Sequence, residues 1–134
     1  MKIGLIGSGA IAEFLLTEIN GNKHEKMQIT SVLVRNIEKY GGLEAKFGVK
    51  LYLELDEFLA SDIDIVVEAA TVEAIQNLLP KIIKQKDVLL ISIGALVDGP
   101  LLHKIIELAE THQHTIYLPS GAIGGLDLLQ NTQS

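Results

Sequence analysis

Lys2-Ile3-Gly4-Leu5-Ile6-Gly7-Ser8-Gly9-Ala10-Ile11-Ala12, near the start of the chain, is the stretch on which the fold turns. Lys2 to Ile6 is a short apolar run of strand length, and from Ala10 to Asn20 the residues Ile11, Phe14, Leu15 and Ile19 recur as the stripe of an amphipathic helix. Between them stands Gly7-x-Gly9-x-x-Ala12. In a strand–turn–helix context each small residue does something different. Gly7 permits the tight turn, Gly9 lets backbone approach a pyrophosphate, and Ala12 lets helix and strand close on one another. The N-terminus of the following helix adds unpaired N–H groups and a partial positive charge suited to phosphates. An ordinary tight turn would satisfy the same pattern, so the rest of the chain has to arbitrate.

Outward from this stretch, apolar runs alternate with helical patterns, which predicts strand–helix units and a parallel sheet. Gly21-Asn22 ends the first helix. Ile29 to Val34 reads as the second strand, Ile37 to Phe47 as a Gly-interrupted helix, and Val49 to Leu53 as the third strand, with Asp56 expected to cap a short helix at Glu57 to Ala60. Ile63 to Ala69 is Ile- and Val-rich, as a strand covered on both faces should be. Thr71 is placed to cap a helix over Val72 to Lys86, with Ile75, Leu78, Leu79, Ile82 and Ile83 inward and Pro80 inside it. Val88 to Ile93, a helix over Leu101 to Thr111 opened by Pro100, and Thr115 to Leu118 complete the count. The expected fold is α/β: a doubly wound, parallel, six-stranded Rossmann sheet in the order 3-2-1-4-5-6, occupying residues 1–120 as a single domain. Its ligand crevice would lie between strands one and four, and residues 121–134 would begin a linker or helix leading toward a further domain.

The carboxyl edge of that sheet supplies the remaining candidates. An acidic residue commonly binds the ribose hydroxyls of NAD at the end of the second strand; here stand Arg35 and Asn36, with no Asp or Glu before Glu38. An Arg in that place suits a 2′-phosphate, which tilts the expectation from NAD toward NADP. Ala70-Thr71 and Ser92-Ile93-Gly94-Ala95, following the fourth and fifth strands, are small enough for a ribose and nicotinamide to come close. Ser92 also reads as an inward-facing residue of the fifth strand.

Composition excludes several other classes. The 134 residues contain no Cys, which removes a disulfide scaffold, Cys-ligated zinc, an iron–sulfur cluster and a thiol nucleophile. A hydrophobic fraction of 48% with 21% charged residues describes a chain that folds. A formal net charge of -6 and the lack of any basic run argue against nucleic acid or an anionic membrane as partner. The apolar start is interrupted by Gly7 and followed by Glu13 and Glu18, so neither a leader nor a membrane span is expected, and a cytoplasmic location is the default. His103 and Glu107 share a helix face without a third ligand, His112 and His114 read as surface residues, and Asp62 and Asp64 read as a solvated turn; no metal site is expected.

Pro119-Ser120-Gly121-Ala122-Ile123-Gly124-Gly125-Leu126-Asp127 leaves the sixth strand at the same edge. That loop resembles the one of the L-aspartate dehydrogenase family. Leu55-Asp56-Glu57-Phe58, Val66-Val67-Glu68-Ala69-Ala70 and Ser92-Ile93-Gly94-Ala95-Leu96 with Asp98 match in order, so the resemblance covers nearly the whole chain. The Gly7 loop itself is shared with many dehydrogenases, including the related homoserine dehydrogenases. The resemblance implies oxidation of L-aspartate to iminoaspartate with NAD or NADP. It implies that Gly7, Gly9, Ala10 and Ile11 hold the pyrophosphate, that Ala122 touches the dinucleotide, and that Ser120 and Gly121 border the substrate pocket. It also implies a second domain carrying the catalytic His and the dimer interface, whereas this sequence runs seven residues past Asp127 and His24, His103, His112 and His114 match no catalytic position.

The expectation is therefore a cofactor-binding half of an aspartate dehydrogenase-like oxidoreductase, incomplete for catalysis by itself, with no catalytic residue of its own and with a homo-oligomer as its natural assembly. A stand-alone dinucleotide-binding or sensing module, meeting a protein partner through Leu126, Leu128 and Leu129, is the alternative. A folded remnant that binds nothing is the third reading.

Overall fold

The computed structural model describes residues 1–7, 9–23 and 25–118. In chain order the elements are β1 (Lys2–Ile6), α1 (Ala10–Leu16) continuing into a wide π turn (Thr17–Gly21), β2 (Gln28–Leu33), α2 (Ile37–Tyr40), α3 (Gly42–Phe47), β3 (Lys50–Tyr52), α4 (Leu55–Ala60), β4 (Ile65–Glu68), α5 (Val72–Ile83), β5 (Asp87–Leu90), a 3₁₀ turn (Ile93–Val97), α6 (Gly99–His112) and β6 (Ile116–Tyr117). The strands form one parallel sheet in the order β3-β2-β1-β4-β5-β6, as the alternation of the sequence predicts. The chain divides into two compact units, Met1–Ala70 and Thr71–Ser134.

In the first unit, β1 pairs with β2 on one side and β4 on the other, with Ile6 opposite both Leu33 and Glu68. The core is Leu5, Leu16, Ile29, Val32, Phe58 and Val66, all fully buried; each large apolar side chain removed from water contributes on the order of 1.5–3 kcal/mol. Phe58 of α4 lies directly over Gly4: a Cβ built there would stand 2.7 Å from Phe58 Cζ and 2.6 Å from Ile63 Cδ1, so β1 carries a glycine where the helix lands. Tyr52 meets Phe58 edge to face at 6.2 Å between centroids.

Three local expectations are revised. Helix α1 buries Ala12 and Leu16, while Ile11 and Phe14 of the expected apolar stripe are 51% and 60% exposed. The small Ala12 thus takes an inward position, and the larger Ile11 and Phe14 face outward. Asp56 lies inside α4 rather than capping it; the helix starts two residues earlier than expected, at Leu55, behind Glu54. Asp62 and Asp64 are more than a solvated turn, because Asp64 Oδ2 accepts the backbone N–H of Lys2 at 2.8 Å and Asp62 forms an ion pair with the Lys2 ammonium.

The π turn places Asn20 against two other elements. Its amide donates to the carbonyls of Ile29 at 2.8 Å and Phe47 at 3.0 Å, and its Oδ1 accepts the Ile29 N–H at 2.8 Å. One side chain thus joins the end of the first helix to the start of β2 and the end of α3.

The second unit packs α5 and α6 with β5 and β6 around Ile75, Leu79, Ile82, Ile83, Val88, Leu90 and Ile105. Thr71 caps α5 as expected, its Oγ1 accepting from the Ala74 N–H at 3.2 Å, and Asp98 does the same for Leu101 at the head of α6. Leu78 of the expected inner face is only half-buried. β6 is fixed by the Thr115 N–H to Asp87 Oδ1 at 2.8 Å.

Candidate functional site

Gly7 sits at the carboxyl end of β1 with φ +122°, a conformation that glycine holds without strain and L side chains rarely adopt. Its N–H donates to the Leu33 carbonyl of β2 at 3.2 Å. On the other side it presses against the chain leaving β4: a Cβ at Gly7 would lie 2.6 Å from Ala69 O, 2.8 Å from Ala69 C and 3.2 Å from Ala70 N. The turn is wedged between the ends of the two neighbouring strands, at the point where the strand order reverses.

Gly9, two residues on, has the opposite surroundings. A Cβ there would meet nothing within 4 Å, and the backbone, at φ -81°, does not require glycine. Among the described residues, nothing fills the space that a side chain at Gly9 would take. Gly9 is also the N-cap of α1 and has no side chain with which to satisfy the N–H groups of the first turn. Ala10 and Ile11 follow, exposed, while Ala12 is fully buried below.

At the end of β2, Arg35 is exposed two residues past the strand. Asn36 is occupied as the N-cap of α2, its Oδ1 accepting the Lys39 N–H at 3.2 Å. At the end of β4, Ala70 is half-buried and its N–H donates to Glu68 Oε2 at 2.9 Å. Glu68 itself is fully buried. The sequence marks Glu68 only as part of a matching stretch; the signal it holds is a carboxylate closing the otherwise Ile- and Val-rich β4.

Within the second unit, Thr71 is exposed and engaged as a helix cap. Gly94 is exposed in the 3₁₀ turn, where a Cβ would stand 3.2 Å from Val72 Cγ2. Ser92 is not an inward-facing strand residue, because β5 ends at Leu90 and the chain tightens into the 3₁₀ turn behind Ser92. Ser120, Gly121 and Ala122 lie outside the described residues. His103 and His112 are exposed, whereas His114 is part-buried with Nδ1 hydrogen-bonded to the Ile83 carbonyl, a tether the surface reading did not anticipate. Among the described residues, no cluster of three His, Asp or Glu could hold a metal, and no helix is long and apolar enough to cross a membrane. A cleft of about 260 Å³ lined by Ile19, Asn20, Lys23, Met27, Gln28 and Phe47 opens at the start of β2, on the edge opposite the glycine turn.

Comparison with known proteins bears on this geometry. L-aspartate dehydrogenases of Methanocaldococcus jannaschii and Methanopyrus kandleri are 40% and 38% identical to it, in each case over 97% of this chain. The alignments cover 49% and 51% of those proteins, so the chain spans about half the length of the curated relatives it matches. Among solved structures, apo scyllo-inositol dehydrogenase of Lactobacillus casei superposes with a TM-score of 0.77 at 17% identity, covering 91% of this chain and 37% of that one. Biliverdin reductase of Synechocystis, solved with biliverdin and NADP+, gives 0.76 at 18% identity over 91% of this chain and 38% of that one. These structural likenesses show a shared fold. Residues 7–119, which begin at the wedged glycine turn, match the family described as the homoserine dehydrogenase NAD-binding domain, and the chain belongs to that family.

Proposed function

We propose that this chain is the dinucleotide-binding half of an L-aspartate dehydrogenase-like oxidoreductase, with residues 1–120 as the cofactor domain and residues 121–134 leading toward the substrate half. The observation that carries this reading is the pairing of Gly7, demanded by the protein's own packing, with Gly9, which the packing does not demand. A pyrophosphate over Gly9, Ala10 and Ile11 would use the space that a Cβ would fill, and the first N–H groups of α1 would meet its charge. The bound nicotinamide supplies the hydride acceptor for conversion of L-aspartate to iminoaspartate.

The residues of this chain bind and orient. Arg35 stands where the ribose of the adenosine half falls, and its guanidinium suits a 2′-phosphate, so NADP is preferred over NAD. Ala70, Thr71 and Gly94 bring backbone and small side chains to the carboxyl ends of their strands, where a nicotinamide ribose can approach. Ser120, Gly121 and Ala122 offer N–H groups of a Gly-rich loop to the substrate carboxylate and the dinucleotide. Proton transfer and the remaining substrate contacts are assigned to the other half of the enzyme.

Titration of the chain with NADH and NADPH, followed by nicotinamide fluorescence, tests this directly, since the sequence holds no Trp to interfere. Saturable binding, tighter for NADPH and losing that preference in R35A, is expected. Absence of binding by a folded sample refutes the reading. Equal affinity for both nucleotides removes the role given to Arg35.

A further inference from the structure

We propose that Glu68 is a positioning residue that shapes the nicotinamide side of the site by holding the Ala70 amide, an inference that rests on the dinucleotide reading above. β4 runs Ile65, Val66, Val67 and then Glu68, so its fourth residue places a fully buried carboxylate where an apolar side chain would satisfy the core. Burying a carboxylate is costly unless hydrogen bonds compensate. Oε2 accepts the Ala70 N–H at 2.9 Å, two residues ahead on the same chain, and so curls the end of β4 around Ala69. The Ala69 N–H in turn donates to the Ile6 carbonyl at 2.8 Å. The Ala69 carbonyl and the Ala70 nitrogen form the surface against which Gly7 is wedged. Residues 68 to 70 are thereby fixed as one wall of the glycine turn, opposite the Leu33 carbonyl that holds the other side.

The two walls face different halves of a dinucleotide. In folds of this strand order the group that recognises the adenosine ribose stands at the end of β2, and the molecule crosses the switch point between β1 and β4. The nicotinamide half therefore falls on the β4 side, beside Ala70. Glu68 does not reach a ligand itself; it acts through the peptide that does.

The test compares two replacements of similar volume. In E68Q the amide oxygen can still accept the Ala70 N–H, whereas E68M removes the acceptor. NADH, NADPH and AMP are titrated into the parent chain and both variants, AMP reporting the adenosine half alone. E68M is expected to weaken NADH and NADPH about tenfold, the scale of one hydrogen bond to a charged group, while its AMP affinity stays within about twofold and E68Q restores dinucleotide binding. A purely structural role would lower AMP and dinucleotide binding together, and that result overturns the proposal, as does parent-like NADH binding by E68M. In the parent chain, and independently of whether E68M folds, the Ala70 amide resonance should move on addition of NADH and not of AMP; an Ala70 signal indifferent to NADH also overturns it. Should the parent bind neither NADH nor AMP, the dinucleotide reading itself falls and takes this proposal with it.

Discussion

Replacing Gly7 and Gly9 by Ala separates what the fold needs from what a ligand needs. At Gly7 the new methyl would stand 2.6 Å from the Ala69 carbonyl oxygen and 2.8 Å from its carbon, both backbone atoms that no rotamer change can clear. A φ of +122° adds strain of about 1–3 kcal/mol for an L residue. Overpacking that forces a backbone shift adds about 1–3 kcal/mol more. The sum, about 2–6 kcal/mol, is a large part of the roughly 5–15 kcal/mol that stabilises a domain. At Gly9 the methyl meets nothing within 4 Å and φ is -81°, so a gain of about 0.4–1 kcal/mol from lost unfolded-state freedom is set against the poorer N-capping of Ala, and stability should stay within about 1 kcal/mol of the parent. Urea and thermal unfolding measure the first quantity, and NADPH titration the second. G7A should melt about 10 °C or more below the parent, while G9A should melt within about 5 °C of it yet bind NADPH at least about tenfold more weakly, because its methyl occupies the space read as the pyrophosphate cradle. A G7A protein within about 0.5 kcal/mol of the parent would refute the packing argument, and a G9A protein with parental NADPH affinity would refute the cradle.

Other perturbations probe the parts that hold the turn in place. G4A pushes a methyl to 2.7 Å from Phe58 Cζ and 2.6 Å from Ile63 Cδ1; these are side-chain atoms, so a cost of about 1–3 kcal/mol in chemical denaturation should be partly recovered by adding F58L. N20A removes three hydrogen bonds that join the π turn to Ile29 and Phe47 and should cost about 2–3 kcal/mol without altering nucleotide affinity, which unfolding and titration on the same sample will show. The Lys2 ammonium is raised above its ordinary value of 10.5, first by its hydrogen bond to Asp62, then by the charges of Asp62 and Asp64. Its contribution is fully present below pH 10.5 and is lost as pH rises through the higher folded value, so the denaturation midpoints of the parent and K2M should converge only in strongly alkaline solution. Salt should shrink the gap between them at lower pH, since the pair is exposed.

Strand order was legible because βαβ units leave few alternatives once six apolar runs alternate with helices. Exact faces were less so. Ile11, Phe14 and Leu15 have helical spacing, yet α1 turns Ala12 and Leu16 inward, and periodicity, which weighs Phe above Ala, does not reveal it. The apolar residues around Ser92 read as a continuation of the fifth strand, but β5 stops at Leu90. Gly94 and Ala95 then permit a tight 3₁₀ turn that a run of hydrophobicity does not announce.

Glu68 shows why a site is harder to read than a fold. In the sequence Glu68 is one residue within the Ile- and Val-rich run Ile63 to Ala69, and only the folded chain puts its carboxylate at zero exposure with the Ala70 amide in its grip. The two glycines show the same limit from the other side. Gly7 and Gly9 are the same letter in one motif, and nothing in the sequence says that the first is held by Ala69 while the second faces open space. In the proposed reading their motif has two different neighbours, one belonging to the protein and one supplied from outside. Substituting each in turn is therefore a physical assay of the motif: the glycine whose loss costs stability belongs to the fold, and the glycine whose loss costs only affinity belongs to the ligand.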